Sequence, residues 1–412
     1  MPAAPRKPSG PPPAWVTPSP DRLAAVVDCL AEREHYRRSV MRERRLGDSF
    51  PGAVGAQEGA QDDDGGESWY RVEVGASRNQ LHKNRYGDII AYDRTRCLPP
   101  LRTTAANEPD YVNASLVREP DLGFGDDVLP RRWWVAAQAP IPDTVHDFLS
   151  LLLTPPTSLA YQSSAPSAAP AATGQPPALP LINLIVQLTP LVEGRRQKCH
   201  PYFPPAVGQT WDLPSASGER GQGVWVRLER KDERDGARTS ELRVGREGDS
   251  EGRKVLHVEY LGWRDHGVPD SPSHLVRFIH RIHAHNASFP GPRAPILAHC
   301  SAGVGRTGTL IALSSLLPLL SHLSSSASAP PTAASDLPLP PEDPSHPLGA
   351  YPAHRMLAAG SGPDYVGATV DALRDQRTTM CQTGEQVAWV FEALGEAWRE
   401  GLVDPRGAEE GL

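Results

Sequence analysis

The chain has 412 residues, with 42 Lys or Arg against 49 Asp or Glu, giving a formal net charge of −7 and an isoelectric point near 6.1. That balance speaks against a nucleic-acid footprint, which needs a basic excess gathered on one face. Gly (36) and Pro (44) make up about a fifth of the chain and aromatics only 6%, so part of the length is linker and the rest suffices for one large domain.

Five cysteines, at 29, 97, 199, 300 and 381, form no CxxC pair, which suggests neither a disulfide framework nor a zinc cage and points to a reducing compartment. The opening MPAAPRKPSGPPPAW lacks the apolar core of a signal peptide, and the longest apolar stretch, Leu310 to Leu320, is short and serine-rich for a bilayer span. The expectation is a soluble, cytoplasmic protein with no membrane partner, the nucleus being left open.

Residues 1–20 read as a disordered Pro-rich tail. Leu23, Val26, Val27 and Leu30 then fall at i, i+3, i+4 and i+7 and predict an amphipathic helix that continues, charged, to about Arg45. Low-complexity stretches at about 51–67, 155–180 and 321–362 are too poor in apolar residues to fold and read as disordered insertions. Strands are predicted within 181–188, 224–229 and 255–263, and the charged run 227–238 reads as a solvated hairpin turn. Helical faces recur at Leu275, Phe278, Ile279 and Ile282, at Val366, Val370 and Leu373, and at Val387, Val390, Phe391, Leu394 and Trp398. The histidines at 274, 280, 283 and 285 wrap around one helix without converging, so no metal site is read there. One α/β domain over 21–404, followed by a tail at 405–412, accommodates these elements.

The segment PILAHCSAGVGRTGTLIAL, residues 295–313, has a short apolar strand, a Gly-rich turn and an apolar helix. Such a turn aims backbone N–H groups and a helix N-terminus at one point, which would hold an anion. Cys300 heads the turn and Arg306 closes it, so a thiolate sits below a bound phosphate while a guanidinium grips its oxygens. Gly303, Gly305 and Gly308 permit the close backbone approach, and Thr307 can offer its hydroxyl to the sulfur.

In detail, HCSAGVGRTG (residues 299–308) resembles the phosphate loop of cysteine-dependent protein tyrosine phosphatases of the tyrosine-specific, non-receptor kind. The resemblance implies a single domain with a central twisted mixed sheet flanked by helices. It also implies that His299 supports the loop and that Ser301, Ala302, Gly303, Val304 and Gly305 contact the phosphate. LHKNRYGDI (81–89) is similar to the phosphotyrosine-recognition loop, with Tyr86 stacking on the substrate ring and Asp88 bonding the peptide backbone. DYVNAS (110–115) and WWVAAQAPIPDTVHDF (133–148) look like structural motifs, the latter with Ala139 where the family usually has glycine and a small backbone change expected.

LTPLVEGRRQKCHPYFP (188–204) matches the loop supplying a glutamate behind the arginine, assigned to Glu193, and a lysine facing the acid loop, assigned to Lys198. GWRDHGVPDSP (262–272) looks like the mobile acid loop, with Trp263 beside Asp265 as general acid and Arg264 replacing the usual proline. A phenolate, whose conjugate acid has a pKa near ~10, leaves poorly unprotonated, so the acid contributes on the order of 10²–10⁴-fold. LRDQRTTMCQTGEQVAWVF (373–391) resembles the loop whose glutamines, Gln382 and Gln386, place the hydrolytic water and the substrate.

The resemblance implies hydrolysis of protein phosphotyrosine through phosphocysteine in intracellular signalling, with no cofactor and no metal. Phosphotyrosine-containing proteins, signalling kinases among them, are the implied partners. Arg264, Ala139 and Val387 keep a second reading open, a phosphotyrosine-binding pseudophosphatase without turnover.

Overall fold

The structure, a computed structural model, describes residues 8, 10–47, 69–101, 110–163, 177–215, 217–218, 220–263, 267–325, 337–341, 343–352 and 363–403. Ten strands occur among them: β1 (Ala114–Arg118), β2 (Trp133–Ala137), β3 (Leu184–Gln187), β4 (Val192–Glu193), β5 (Arg196–Gln197), β6 (Thr210–Leu213), β7 (Val224–Arg234), β8 (Ala237–Arg246), β9 (Arg253–Tyr260) and β10 (Ile296–His299). The α-helices are α1 (Pro20–Gly47), α2 (Glu73–Ala76), α3 (Val145–Ser150), α4 (Leu159–Ser163), α5 (Pro272–Ala287), α6 (Gly305–Ser325), α7 (Tyr365–Arg374) and α8 (Gly384–Glu400).

Eight strands build one mixed sheet in the order β1-β2-β10-β3-β9-β8-β7-β6, and β4 with β5 forms a separate hairpin. The central β2, β10, β3 and β9 run parallel. Parallel strands need cover on both faces, and β3 and β10 are accordingly buried throughout. Along β10, Ile296 and Ala298 face the core beneath α5, α6 and α8, whereas Leu297 faces the opposite core with Phe148 and Leu149 of α3. His299 therefore ends β10 level with Ala137 of β2 and Gln187 of β3, at the C-terminal edge of the parallel strands. A chain leaving such an edge enters a helix, and Gly305 opens α6 six residues beyond His299.

The charged run expected to be a hairpin turn is the end of the longer β7–β8 hairpin, reversed at Asp235 (φ 49°) and Gly236 (φ 66°). Successive positive φ values match the two-residue turn that fits strand twist. The histidines of α5 serve the fold: His280 Nε2 donates to Leu402 O (2.8 Å), and His283 Nε2 lies 2.8 Å from Ser314 Oγ.

Three expectations need correction. The Pro-rich tail is not disordered up to residue 20: Trp15 and Val16 are buried, Trp15 edge-on to Tyr365 at 5.3 Å, because an indole and a valine have apolar surface to hide. The insertion at 155–180 contains α4, with Ser158 buried, and 164–176 lie outside the described residues. Within 321–362, α6 runs on to Ser325, Leu337 and Tyr351 pack on the core, and His346 Nε2 lies 3.0 Å from Asp375 Oδ2. Sparse aromatic and apolar anchors suffice to seat these stretches. The insertion at 51–67 and the tail at 405–412 lie outside the described residues. The apolar stretch judged too short for a bilayer belongs to a helix that is long and apolar enough by length and composition, yet 72% of its apolar window is buried inside the fold.

Candidate active site

Cys300 leaves β10 into a turn whose form is set by its glycines. Gly303 has φ 73°, and a Cβ there would overlap the Ala137 carbonyl; one on Gly308 would overlap the Cys381 backbone nitrogen. The turn folds back so that Gly303 N–H donates to Cys300 Sγ (3.2 Å). Ser301 O accepts from Ala139 N–H (3.0 Å), tying the turn to the segment after β2. Ala139 keeps a negative φ, so an L-residue costs no backbone strain there. Behind the turn, buried His299 bonds Cys300 O through Nδ1 (3.2 Å) and Tyr202 Oη through Nε2 (2.9 Å). Burial lowers its pKa to about 4, so its ring is neutral and Nδ1–H is the donor to the carbonyl.

Arg306 stands at the start of α6, with Nη2–H donating to Glu193 Oε1 (2.7 Å) and Nη1–H to Leu188 O (3.2 Å). Glu193 is carried by the β4–β5 hairpin, turned at Gly194 (φ 53°) and Arg195 (φ 64°). Lys198 Nζ lies 3.9 Å from Glu193 Oε2, so one carboxylate faces both cations. The Trp263 ring centroid is 5.9 Å from the Arg306 guanidinium carbon, and Trp263 Nε1–H donates to Gly267 O (3.4 Å). Asp265, with Arg264 and His266, lies outside the described residues.

Tyr86 and Ser301 share a hydrogen bond (2.8 Å); since Ser301 Oγ–H donates to Lys198 O (2.9 Å), the phenol is its donor. Tyr86 thus stands as a wall against the turn. Asp88 is exposed and pairs with Arg38 of α1 at 3.2 Å. Ala302 is partly buried against the core and Val304 fully buried in it. Thr307 is fully buried, and its Oγ1 has no partner among the described residues. Gln382 and Gln386 lie over Gly305, where an added Cβ would sit 3.4 Å from Gln382 Oε1 and 3.0 Å from Gln386 Nε2. Gln386 Nε2–H donates to Gly267 O (3.2 Å), joining α8 to the acid-loop segment.

Two arginines escaped the sequence reading. Arg377, fully buried, donates to Gly303 O (2.8 Å), Ala302 O (2.9 Å), Asn113 Oδ1 (2.8 Å) and Ser115 Oγ (3.2 Å), and so holds the turn from behind. Burial lowers its pKa to about 10, which leaves it charged at neutral pH. Arg85 donates to Ala139 O (3.0 Å) and Pro140 O (2.8 Å) and fixes the base of the Tyr86 wall. Only its place beside Tyr86 in HKNRYGD hinted at this. Burial pushes the thiols of Cys97, Cys199 and Cys381 up to about 12 and that of Cys29 to about 11, so these four stay protonated at neutral pH.

A glycine-rich turn between a central parallel strand and a helix N-terminus, headed by a cysteine and closed by a braced arginine, defines an α/β protein with an anion cradle around a thiol. A family model described as protein-tyrosine phosphatase matches residues 80–155 and 181–330, over half of the chain, and the chain belongs to that family. It is 28% identical over 349 residues to tyrosine-protein phosphatase 1 of Caenorhabditis elegans, covering 82% of this chain and 26% of the relative. It is 27% identical to tyrosine-protein phosphatase non-receptor type 4 of Mus musculus, over 79% of this chain and 26% of the relative. With tyrosine-protein phosphatase 69D of Drosophila melanogaster the identity is 32%, over 57% of this chain and 13% of the relative. The chain thus spans about a quarter or less of the length of these relatives.

Proposed function

We propose that this chain hydrolyses phosphotyrosine in proteins through a phosphocysteine intermediate. The observation that carries this reading is the pair Cys300 and Arg306 at the two ends of one turn: a sulfur receiving the Gly303 N–H and a guanidinium braced by Glu193 and Leu188 O. Cys300 attacks phosphorus, forming the S–P bond as the P–O bond to tyrosine breaks, and Asp265 gives its proton to the leaving phenolate. Backbone N–H groups of residues 301–305 and Arg306 stabilise the charge on the equatorial oxygens. Water placed by Gln382, with Gln386 beside it, then attacks phosphorus while Asp265 takes its proton, and Thr307 donates to the departing sulfur. Lys198 and Trp263 flank the acid loop, and His299 and Glu193 support the cradle. Tyr86 makes the slot deep, which leaves phosphoserine short of Cys300, and Asp88 binds the peptide backbone. The setting is intracellular signalling, in the cytoplasm or nucleus, on phosphotyrosine-containing proteins such as signalling kinases.

The test is phosphate release from a phosphotyrosyl peptide and its phosphoseryl counterpart by wild type, Cys300→Ser and Asp265→Ala. Turnover specific to phosphotyrosine, abolished by Cys300→Ser and lowered on the order of 10²-fold or more by Asp265→Ala, is expected. Binding without any release by wild type would overturn the reading in favour of a binding module.

A further inference from the structure

A cavity of about 420 Å³ opens between β1, Trp69 and Arg94, the stretch 339–351, and α7 with its C-terminal end. Neither Cys300 nor Arg306 lines it, so it is separate from the anion cradle. Its size falls within the range of small-molecule sites, on the order of 300–1,000 Å³. Apolar walls come from Leu116, Leu122, Trp133 and Leu339 among others.

The charged groups lining this cavity are, with one exception, held by direct partners. Asp371 is held by Arg33 (2.8 Å) and Arg37 (2.7 Å), and Asp375 by Arg37 (2.6 Å) and His346 (3.0 Å). Asp343 accepts from Ser345 N–H (2.9 Å) and Oγ–H (2.6 Å), and Asp121 faces Arg131 at 3.6 Å. Arg118, also in the lining, pairs with Asp126 at 2.6 Å. Arg94 differs from all of these. Its Nε is buried without a partner, and no hydrogen bond or ion pair joins its guanidinium to another described residue. Its contact is stacking, 3.7 Å from the Trp69 ring centroid, and Trp69 is itself braced edge-on by His346 at 4.7 Å. Asp375 and Asp343 act on Arg94 from beyond ion-pair distance, so this largely buried cation has no direct anionic partner, which is costly, and it is held in place by an aromatic face.

We propose that the cavity is a binding site for a small aromatic carboxylate, its carboxylate paired with Arg94 and its ring against Trp133 and the apolar wall. A guanidinium presents two parallel N–H donors that match a carboxylate. The four carboxylates around the cavity oppose a doubly charged phosphate, which favours the singly charged anion. This inference does not rest on the phosphatase reading.

Isothermal titration with naphthoate as the probe, and the neutral naphthamide as its control, tests the proposal. The titrations use wild type, Arg94→Met, Leu339→Trp and Arg306→Met, the last disabling the anion cradle. Leu339 is half-exposed at the rim, so an indole there blocks the cavity without disturbing the core. Naphthoate is expected to bind wild type and Arg306→Met with similar affinity, and at least about 10-fold more weakly to Arg94→Met and Leu339→Trp; naphthamide should be weaker by a similar factor. Binding that survives in both Arg94→Met and Leu339→Trp, that disappears in Arg306→Met, or that is absent from wild type at millimolar probe overturns the site. Should Arg94→Met fail to fold, Leu339→Trp decides alone.

Discussion

Thr379 and Cys381, in the turn that delivers Gln382, both lie in the left-handed region, at φ 54° and 51°. A β-branched residue is poorly suited to that conformation. The turn is held by its surroundings: Glu34 Oε1 accepts from Thr379 N–H (3.0 Å) and Thr378 Oγ1–H (3.1 Å), and Cys381 N–H donates to Val304 O (3.2 Å). Arg374 adds donors to Met380 O (2.9 Å) and Cys381 O (2.8 Å). The buried Thr379 hydroxyl has no partner among the described residues. Glycine would relieve the φ strain and remove the orphan hydroxyl, against an entropy cost of roughly 0.5–1 kcal/mol, for a net gain of about 1 kcal/mol. Thr379→Gly should therefore raise the urea midpoint at an unchanged slope. A lowered midpoint would show that Thr379 is favoured by contacts outweighing its strain.

At the scale of elements, α1 is bound to α7 by buried charge. The Arg37 side chain is wholly buried, with Nη2 2.7 Å from Asp371 Oδ1 and 2.6 Å from Asp375 Oδ1, and Tyr70 Oη–H also donates to Asp375 (2.9 Å). Arg37→Met leaves both carboxylates short of a partner, and breaking a buried pair this way costs about 3–5 kcal/mol. Equilibrium urea unfolding should show that loss, and a change under about 1 kcal/mol would mean that Arg33 and His346 compensate. The apolar stripe of α1 was legible in its periodicity, because Val26 and Leu30 repeat on the buried face. The ion-paired arginines Arg33 and Arg37, one and two turns on, were not, since their carboxylates come from α7 and its C-terminal end, 338 residues away. Strands β3, β9, β10 and the first half of β7 were legible as β-branched and apolar runs, whereas the rest of β7 and much of β8 carry charges, and β6, at the sheet edge, fully buries none of its residues. The cradle was legible because HCSAGVGRTG is contiguous. Its clamp was not: Arg377 acts only where the chain brings it against Asn113, Ser115 and Gly303.

Over the whole molecule, burial sets how stability answers acid. Desolvation lowers the pKa of His299 to about 4 and of His257 to about 3, and holds His283 well below its ordinary value. Unfolding returns each to roughly 6.5, so between that pH and the folded pKa the unfolded chain binds more protons and stability falls as pH falls. Glu34, Asp93, Glu259 and Asp364 work in the opposite sense. Burial raises them, so the folded chain binds the extra proton and loses stability as pH rises through their window. Because these contributions overlap, a single histidine is isolated by substitution rather than read from the total slope. His257 is the suitable one: it is buried, its Nε2 lies 3.2 Å from Gln187 Oε1, and glutamine can offer that same donor without titrating. From about pH 7.5 to about pH 4.5, wild type should lose roughly 2.5 kcal/mol more than His257→Gln, with urea unfolding at each pH as the measure. Parallel curves for the two proteins would mean that His257 takes up its proton in the folded state, and that the pocket of Tyr202, Phe203 and Gln187 is wetter than its packing implies.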